Sequence, residues 1–125
     1  MAGIFFIDGI KRSIRRRARE KKLAAAKSWP TAQGEVNHWQ VLNADEDVAT
    51  TGTPYQIEAG FHFKVNGEYY GGYIRSVAMT HREAETKSKG EPTVNLRYNP
   101  ANPDETAVLD EDNAGGTLPF RIISG

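Results

Sequence analysis

The sequence predicts a mainly β protein, a small antiparallel sandwich or partly open barrel of about five or six strands. Two observations carry this prediction. Alternating apolar residues stand on both sides of an Asn66-Gly67 pair, and further short alternating segments follow, separated by turns rich in Gly, Pro and Asn. One short helix is expected to connect Ala78 to Pro92. An N-terminal basic amphipathic helix is expected to project from the β-rich part or to pack on it.

Composition and charge divide the chain into two parts. Its 125 residues suffice for one domain, and the absence of cysteine excludes disulfides and thiolate chemistry. Residues 1–30 hold nine Lys and Arg against two acidic residues, a net charge of +7, whereas residues 31–125 hold seven against fourteen, a net charge of −7. We therefore predict a basic helical arm, residues 1–28, followed by a β-rich domain, residues 29–125.

The arm is predicted to be helical from residue 3 to residue 27 and to end before Pro30. Apolar residues recur at about 3.6-residue spacing and form a stripe about one third of the circumference wide. This stripe consists of Phe6, Ile7, Ile10, Ile14, Ala18 and Ala25. Basic residues flank it and cover the rest of the helix: Lys11, Arg12, Arg15, Arg16, Arg17, Arg19, Lys21 and Lys22. No apolar run approaches the roughly 20 residues of a membrane-spanning helix.

Three interpretations of the arm are open. In the first, it lies in an anionic membrane surface, with the apolar side chains in lipid and the cations on headgroups. The contacts would be Phe5, Phe6, Ile7, Ile10 and Ile14, with Lys11, Arg12, Arg15, Arg16, Arg17 and Arg19. In the second, the arm binds nucleic acid or another acidic surface, including the acidic body of its own or a neighbouring copy. In the third, the stripe packs on the β-domain. The aromatic and aliphatic start followed by a basic block favours the membrane.

The domain begins at Trp29-Pro30, and Gln33–Leu42 is predicted as its first strand. A polar, acidic surface loop, Asn43–Gly52, is expected next. The stretch from Thr53 to Ala78 is then predicted to be one long antiparallel hairpin, because Asn66-Gly67 favours a type I′ turn, in which both central residues have positive φ.

The register of this hairpin follows from its two-residue loop, which pairs Val65 with Glu68. The inward pairs are then Phe63–Tyr70, Phe61–Gly72 and Ala59–Ile74, and the outward pairs are Glu58–Arg75, Lys64–Tyr69 and Gly60–Tyr73. This register contains one opposite-charge pair and two pairs in which an aromatic ring faces a glycine. Each cross-strand pair contributes roughly 0.2–1 kcal/mol, and a ring over a glycine also offsets the missing side chain. A one-residue slip would turn the phenylalanines to the wrong face.

The remaining elements are shorter. Thr80 and Glu83 form a capping box at the start of a helix of roughly residues 78–89, which Gly90 and Pro92 end. Strands are predicted at Thr93–Tyr98, Glu105–Leu109 and, at an edge, Phe120–Ile123. The connecting segments are a rigid turn, Asn99-Pro100-Ala101-Asn102-Pro103, and an acidic loop, Asp110–Gly116.

Four of these segments stand out together: Ser28-Trp29-Pro30 with Gly34 and Val36, Tyr55-x-Ile57, Val65-Asn66-Gly67-Glu68-Tyr69, and Val94-x-Leu96-x-Tyr98-Asn99-Pro100-x-Asn102-Pro103. Over about residues 28–110 they resemble the bacterial domain of unknown function 3592 family. The resemblance implies a β-rich domain that members commonly place between two membrane-spanning helices, and it implies no catalytic residue, ligand or agreed activity. Here Gly3–Lys27 stands where the first span would be but is too charged to cross, and Leu118–Gly125 stands where a second might begin.

Residues that often carry chemistry form no recognisable catalytic or metal-binding set. None of His38, His62 and His81 stands at metal-ligand spacing with another, and neither Asp45-Glu46-Asp47 nor Asp110-Glu111-Asp112-Asn113 has the spacing of a calcium loop. Tyr69, Tyr70 and Tyr73 suggest a platform for single-stranded nucleic acid, but a domain of net charge −7 repels phosphates. We expect no enzyme, no cofactor, no metal and no small-molecule substrate.

The expected function is therefore a non-enzymatic, membrane-peripheral adaptor. Its arm would attach to anionic membrane, and its β-domain would bind a protein partner. The expected location is bacterial, cytoplasmic or peripheral at the inner membrane, with the side left open. The alternatives are a subunit of a homo-oligomer or larger assembly, with the arm docked on a neighbour's acidic body, and nucleic-acid binding by the arm. Structural roles are expected for Trp29, Asn66, Gly67, Gly72, Tyr98, Pro100 and Pro103.

Overall fold

The computed structural model describes residue 14, residues 16–46 and residues 48–124. Ile14 and residues 16–26 are helical and form α1. The other elements are β1 (Thr31–Asn43), β2 (Tyr55–Val65), β3 (Glu68–Arg75), α2 (His81–Lys87), β4 (Thr93–Asn99), β5 (Asn102–Ala107) and a 3-10 helix (Asp110–Asn113). The N-terminal part of the predicted arm helix lies outside the described residues.

The hairpin of β2 and β3 has the predicted register. Val65 pairs with Glu68, Phe61 with Gly72 and Glu58 with Arg75, so the whole ladder is confirmed. The turn is made by Asn66 at φ 51° and Gly67 at φ 85°, both in the left-handed region that a type I′ turn requires. Local alternation and turn chemistry therefore determine this part of the fold.

The strands form one antiparallel sheet in the order β3-β2-β1-β4-β5. β1 pairs with β4 through its first half and with β2 through its second, with a bulge between Val36 and His38, so the sheet curls until its edges meet. A Cβ placed on Gly72 of β3 would lie 2.9 Å from the Thr106 side chain of β5. The alternating pairings make β3 and β5 run parallel at this seam. The fold is a nearly closed five-stranded barrel.

A helix between β3 and β4, together with this strand order, gives the connectivity of the OB-fold. The barrel core is built from the inward rows of the strands. Its buried residues are Val36, Ala59, Phe61, Phe63, Ile74, Val94, Leu96, Val108 and Ile122. A smaller cluster of Ile57, Met79 and Ala84 joins α2 to the barrel, so α2 covers one end of the core.

One half of the predicted capping box of α2 is confirmed, the bond from the Glu83 amide to the Thr80 hydroxyl, whereas the Glu83 carboxylate accepts from that hydroxyl instead of from the Thr80 amide. The amide of Glu83 donates to the Thr80 hydroxyl at 3.2 Å, and that hydroxyl donates to the Glu83 carboxylate at 3.1 Å. The helix itself, His81–Lys87, is shorter than the predicted residues 78–89. Met79, two residues before the helix, is held by β-type backbone bonds to Tyr55, which keep the helix from starting earlier.

Three predictions for the C-terminal part need correction. β5 begins at Asn102, inside the segment predicted as a rigid turn, because Pro103 is tolerated on an edge strand. The acidic loop contains a 3-10 helix that is tied to β4 by side-chain bonds from Asn113 and Asp112. The predicted strand Phe120–Ile123 is reduced to a single bridge between Ser76 and Ile122, because too little chain runs beside the end of β3 to extend the ladder.

Candidate functional site

Helix α1 packs on the barrel through one face. The less exposed residues of α1 are Arg19, Lys22, Leu23 and the fully buried Ala26, at the spacing that places side chains on one side of a helix. The described residues of the predicted apolar stripe lie elsewhere, since Ile14 keeps 60% of its surface exposed and Ala18 and Ala25 are exposed. Ala18 and Ala25 are each one residue, about 100° of helical turn, from an inward residue. The interpretation in which the stripe packs on the β-domain is therefore wrong for the described part of the arm.

The inward face of α1 lies over the seam between β3 and β5. A cleft of 620 Å³ is bounded by Lys22, by Gly71 to Tyr73 on β3 and by Asp104 to Thr106 on β5. Burial lowers the pKa of the Lys22 ammonium, while the nearby Glu105 carboxylate acts to raise it. The Lys22 ammonium of the arm thus lies near an acidic side chain of the β-domain in the same chain.

The C-terminal end of α1 is fixed to the domain by Arg97. The guanidinium donates to the Lys27 carbonyl at 2.8 Å, and its other nitrogens donate to both carboxylate oxygens of Asp112 at 2.8 and 3.0 Å. The Arg97 and Asp112 side chains are only 20% and 18% exposed, so water screens this pair poorly. A positive group beneath the last carbonyls of a helix also complements its dipole.

The residues predicted to contact a membrane separate into two groups. Ile14, Arg16 and Arg17 are exposed on α1, whereas Arg19 is half-buried against the domain. The remaining predicted contacts lie outside the described residues: Phe5, Phe6, Ile7, Ile10, Lys11, Arg12 and Arg15. Among the described residues, no helix has the length and apolar character needed to cross a membrane.

The residues given structural roles lie at turns, seams and the core. Gly72 lies at the seam, and Tyr98 packs its ring 6.0 Å from that of Phe63. Trp29, half-buried, follows α1 and donates its amide to the Ala26 carbonyl. The others are Asn66 and Gly67 in the hairpin turn, Pro100 in the exposed β4–β5 turn and Pro103 on β5.

Two of the histidines, His62 and His81, each lie beside a single glutamate, at separate places in the structure. His62 lies 3.7 Å from Glu35, and His81 lies 3.4 Å from Glu85. No group of three or more His, Cys, Asp or Glu that could hold a metal ion occurs in the described part of the chain. Asp110 accepts from the Ile122 amide and from Arg121, and these bonds lower the pKa of its carboxyl group.

Two features were missed by reasoning from the sequence. Alternation along β2 places Gln56 in the outward row, yet it is 2% exposed, because the β1–β2 loop folds over it and Asp45 donates its amide to the side-chain carbonyl oxygen of Gln56. Asp45 also pairs with Arg75 at 2.8 Å, beside the predicted Glu58 partner at 3.2 Å. Both arrangements depend on how a long loop folds, for which the sequence contains no local signal.

The three tyrosines of β3, Tyr69, Tyr70 and Tyr73, do not form a single aromatic platform on one face. Tyr70 turns inward, where its ring packs 5.8 Å from Phe63, and its hydroxyl donates to Glu68. Tyr69 and Tyr73 remain on the outer face, 70% and 67% exposed. Alternation along a strand requires this division.

Comparison with known proteins identifies one family. The sequence profile of the domain of unknown function DUF3592 matches residues 32–113, which run from β1 to the end of the 3-10 helix. No curated protein and no solved structure matches the chain significantly. Because the match covers most of the sequence and nearly the whole barrel, the chain belongs to the DUF3592 family.

Proposed function

We propose that this protein is a non-enzymatic, membrane-peripheral adaptor in which the outward face of α1 attaches to an anionic membrane and the β-domain binds a protein partner. The observation that carries the proposal is the exposure of Ile14, Ala18 and Ala25, the described part of the apolar stripe, on a helix that already packs another face on the barrel. Exposed apolar side chains on a docked helix lower their free energy by entering a lipid interface or a partner surface.

The composition of the exposed face favours lipid. Ile14, Ala18 and Ala25 share it with Lys21, whose aliphatic stem can lie along the acyl boundary while its ammonium stays at the headgroups. Arg16 and Arg17 are also exposed. Each basic residue near an anionic surface contributes about 1 kcal/mol of attraction. The sequence preceding α1 adds further aromatic and aliphatic residues of the same kind.

Liposome flotation tests the proposal. The intact chain is expected to float with vesicles that contain anionic lipid and to stay at the bottom with neutral vesicles. Ile10→Glu combined with Ile14→Glu is expected to reduce recovery severalfold, because a carboxylate resists entering the interface. Thr51→Glu combined with Thr86→Glu, which adds the same two negative charges at exposed positions of the β-domain, is the matched control. Equal recovery with both vesicle types, or no effect of the double variant, contradicts attachment.

A second candidate follows from the position of Lys22 across a cleft from Glu105 on β5. If the arm of one copy occupies the cleft at Glu105 of another, the chain is a subunit of a homo-oligomer, and the acidic domain is the receptor for the basic arm. Sedimentation equilibrium at increasing concentration separates the two cases. A dimer that dissociates in Glu105→Lys supports assembly, whereas a monomer at all concentrations excludes it.

A further inference from the structure

The outer face of the β2–β3 hairpin carries two exposed aromatic rings. Tyr69 and Tyr73 are the large apolar side chains of the described barrel that remain most exposed, at 70% and 67%. Four residues apart on one strand, they stand roughly 13 Å apart at about 3.3 Å per residue. Leaving two tyrosine rings in water forgoes the gain from burying them, so a ligand that covers both would stabilise this face.

The space between the rings is an open trough. A Cβ placed on Gly71 would meet no side chain within 4 Å, only the Phe61 carbonyl at 3.3 Å. Gly60 was predicted to lie under the Tyr73 ring, but the atoms nearest to it belong to His38. The tyrosine rings therefore do not replace missing strand side chains. The Tyr69 ring has the Lys64 ammonium over one side and the His62 ring 6.2 Å away, and most of its surface, like that of Tyr73, remains exposed.

Polar groups of both signs surround the trough. The Lys64 ammonium lies 5.2 Å from the centre of the Tyr69 ring, and His62, which pairs with Gly71 across the ladder, lies beside Glu35. At the other end Arg75 is held by Glu58 and Asp45. Lys64 and Arg75 thus share this face with three carboxylates, those of Glu35, Glu58 and Asp45, so the face has donors and acceptors but no excess of positive charge.

We propose that the outer face of β2 and β3 binds a neutral oligosaccharide whose rings stack on Tyr69 and Tyr73. A sugar ring presents an apolar C–H face to an aromatic ring and hydroxyl groups at its edge, which match the His, Lys and Glu side chains around the trough. In the OB-fold this face binds oligonucleotides or oligosaccharides. The local charge decides between them, because a phosphate backbone requires a basic groove. Tyr73 also borders the cleft beside Lys22 of α1, but the proposal does not rest on attachment of the arm to a membrane.

Titration of the intact, isotope-labelled chain with cellotetraose and with chitotetraose tests the proposal by amide chemical shifts. At least one sugar is expected to shift amides of residues 60–64 and 69–75 in a saturable way. Tyr73→Ala is expected to weaken binding about tenfold or more, whereas Tyr73→Phe retains it, because stacking uses the ring rather than the hydroxyl. Arg82→Ala, on the exposed side of α2, is the matched control, and circular dichroism checks the fold of each variant.

Three outcomes overturn the proposal. The first is the absence of any saturable shift with either sugar. The second is binding that Tyr69→Ala and Tyr73→Ala leave unchanged although both variants are folded. The third is that these amides respond instead to ten-nucleotide oligothymidylate in a salt-dependent way, or to dilution of the protein itself, which would assign the face to nucleic acid or to a second copy.

Discussion

Gly72 shows how one residue allows the barrel to close. A Cβ at this position would lie 2.7 Å from the Phe61 ring and 2.9 Å from the Thr106 hydroxyl, so a side chain would have to displace either the core or the facing strand. The glycine in β3 was read from the sequence as a partner of Phe61. Its second role, to allow close approach of β5 at the seam, can be recognised only from the three-dimensional structure.

Gly72→Ala is predicted to destabilise the chain by about 1–3 kcal/mol, because overpacking a filled site forces strain into its neighbours. Urea unfolding measures this change. Gly71→Ala is the matched control, since its new methyl group points outward and meets only a carbonyl oxygen at 3.3 Å. Equal losses in the two variants would contradict tight packing at the seam.

The Asp112 carboxylate is predicted to make stability fall on acidification. Hydrogen bonds from Arg97 hold the pKa of this carboxyl group below its ordinary value of about 3.9. A group whose folded pKa is lowered stabilises the chain fully above its unfolded pKa, and this contribution is lost as the pH falls through the folded pKa. The loss is therefore expected below about pH 4.

The measurement is the urea midpoint at pH 7 and at pH 3. The wild type is expected to lose more stability between these values than Asp112→Asn, which has no carboxylate to protonate. Asp104→Asn, an exposed position on β5, should lose as much as the wild type. If Asp112→Asn loses as much as the other two proteins, the Arg97 pair does not contribute to the pH dependence.

Among the elements, the hairpin could be predicted and the C-terminal segment could not. The structure of residues 55–75 can be predicted from their local sequence. The alternation of apolar and polar residues determines which side chains share a face, and the Asn66-Gly67 turn determines the register. The segment after β5 takes its place from distant partners, as when Ile123 donates its amide to the Arg75 carbonyl. Such pairing depends on where the barrel places an unpaired edge, and a short segment does not encode that position.

The choice of which face of α1 packs on the barrel likewise depends on tertiary contacts rather than on local sequence. The apolar stripe predicted an inward face for the helix in one of three interpretations, but Leu23 and Ala26 with the stems of Arg19 and Lys22 form that face instead. Long cationic side chains can cover apolar surface while keeping their charge near water, so a count of apolar residues does not identify the docked face.

Arg97→Lys is predicted to release the end of α1. A lysine cannot donate simultaneously to the Lys27 carbonyl and to both oxygens of Asp112. Hydrogen exchange of the α1 amides is expected to accelerate severalfold, while exchange in β2 stays nearly unchanged. Arg121→Lys, whose side chain is 81% exposed, is the control and should leave α1 unaffected. Unchanged exchange in Arg97→Lys would mean that α1 is held without this contact.

At the scale of the whole molecule, the chain separates its surfaces by charge and packing. The −7 domain closes into a barrel, one face of α1 lies over the seam of that barrel, and the remaining surface of α1 presents apolar and basic groups outward. The net charge of zero arises from this division rather than from a uniform surface. Composition predicted the two parts, whereas the closure of the barrel beneath the arm became visible only in three dimensions.

The central proposal is that α1 packs one side on the barrel and inserts another side into the lipid interface. Because the chain lacks cysteine, Ala18→Cys and Glu20→Cys can each carry one environment-sensitive fluorophore at an exposed site, about 200° apart around the helix. On adding anionic vesicles, the label at residue 18 is predicted to shift to the blue and the label at residue 20 to change little. Equal shifts at both positions, or none at residue 18, would contradict the account.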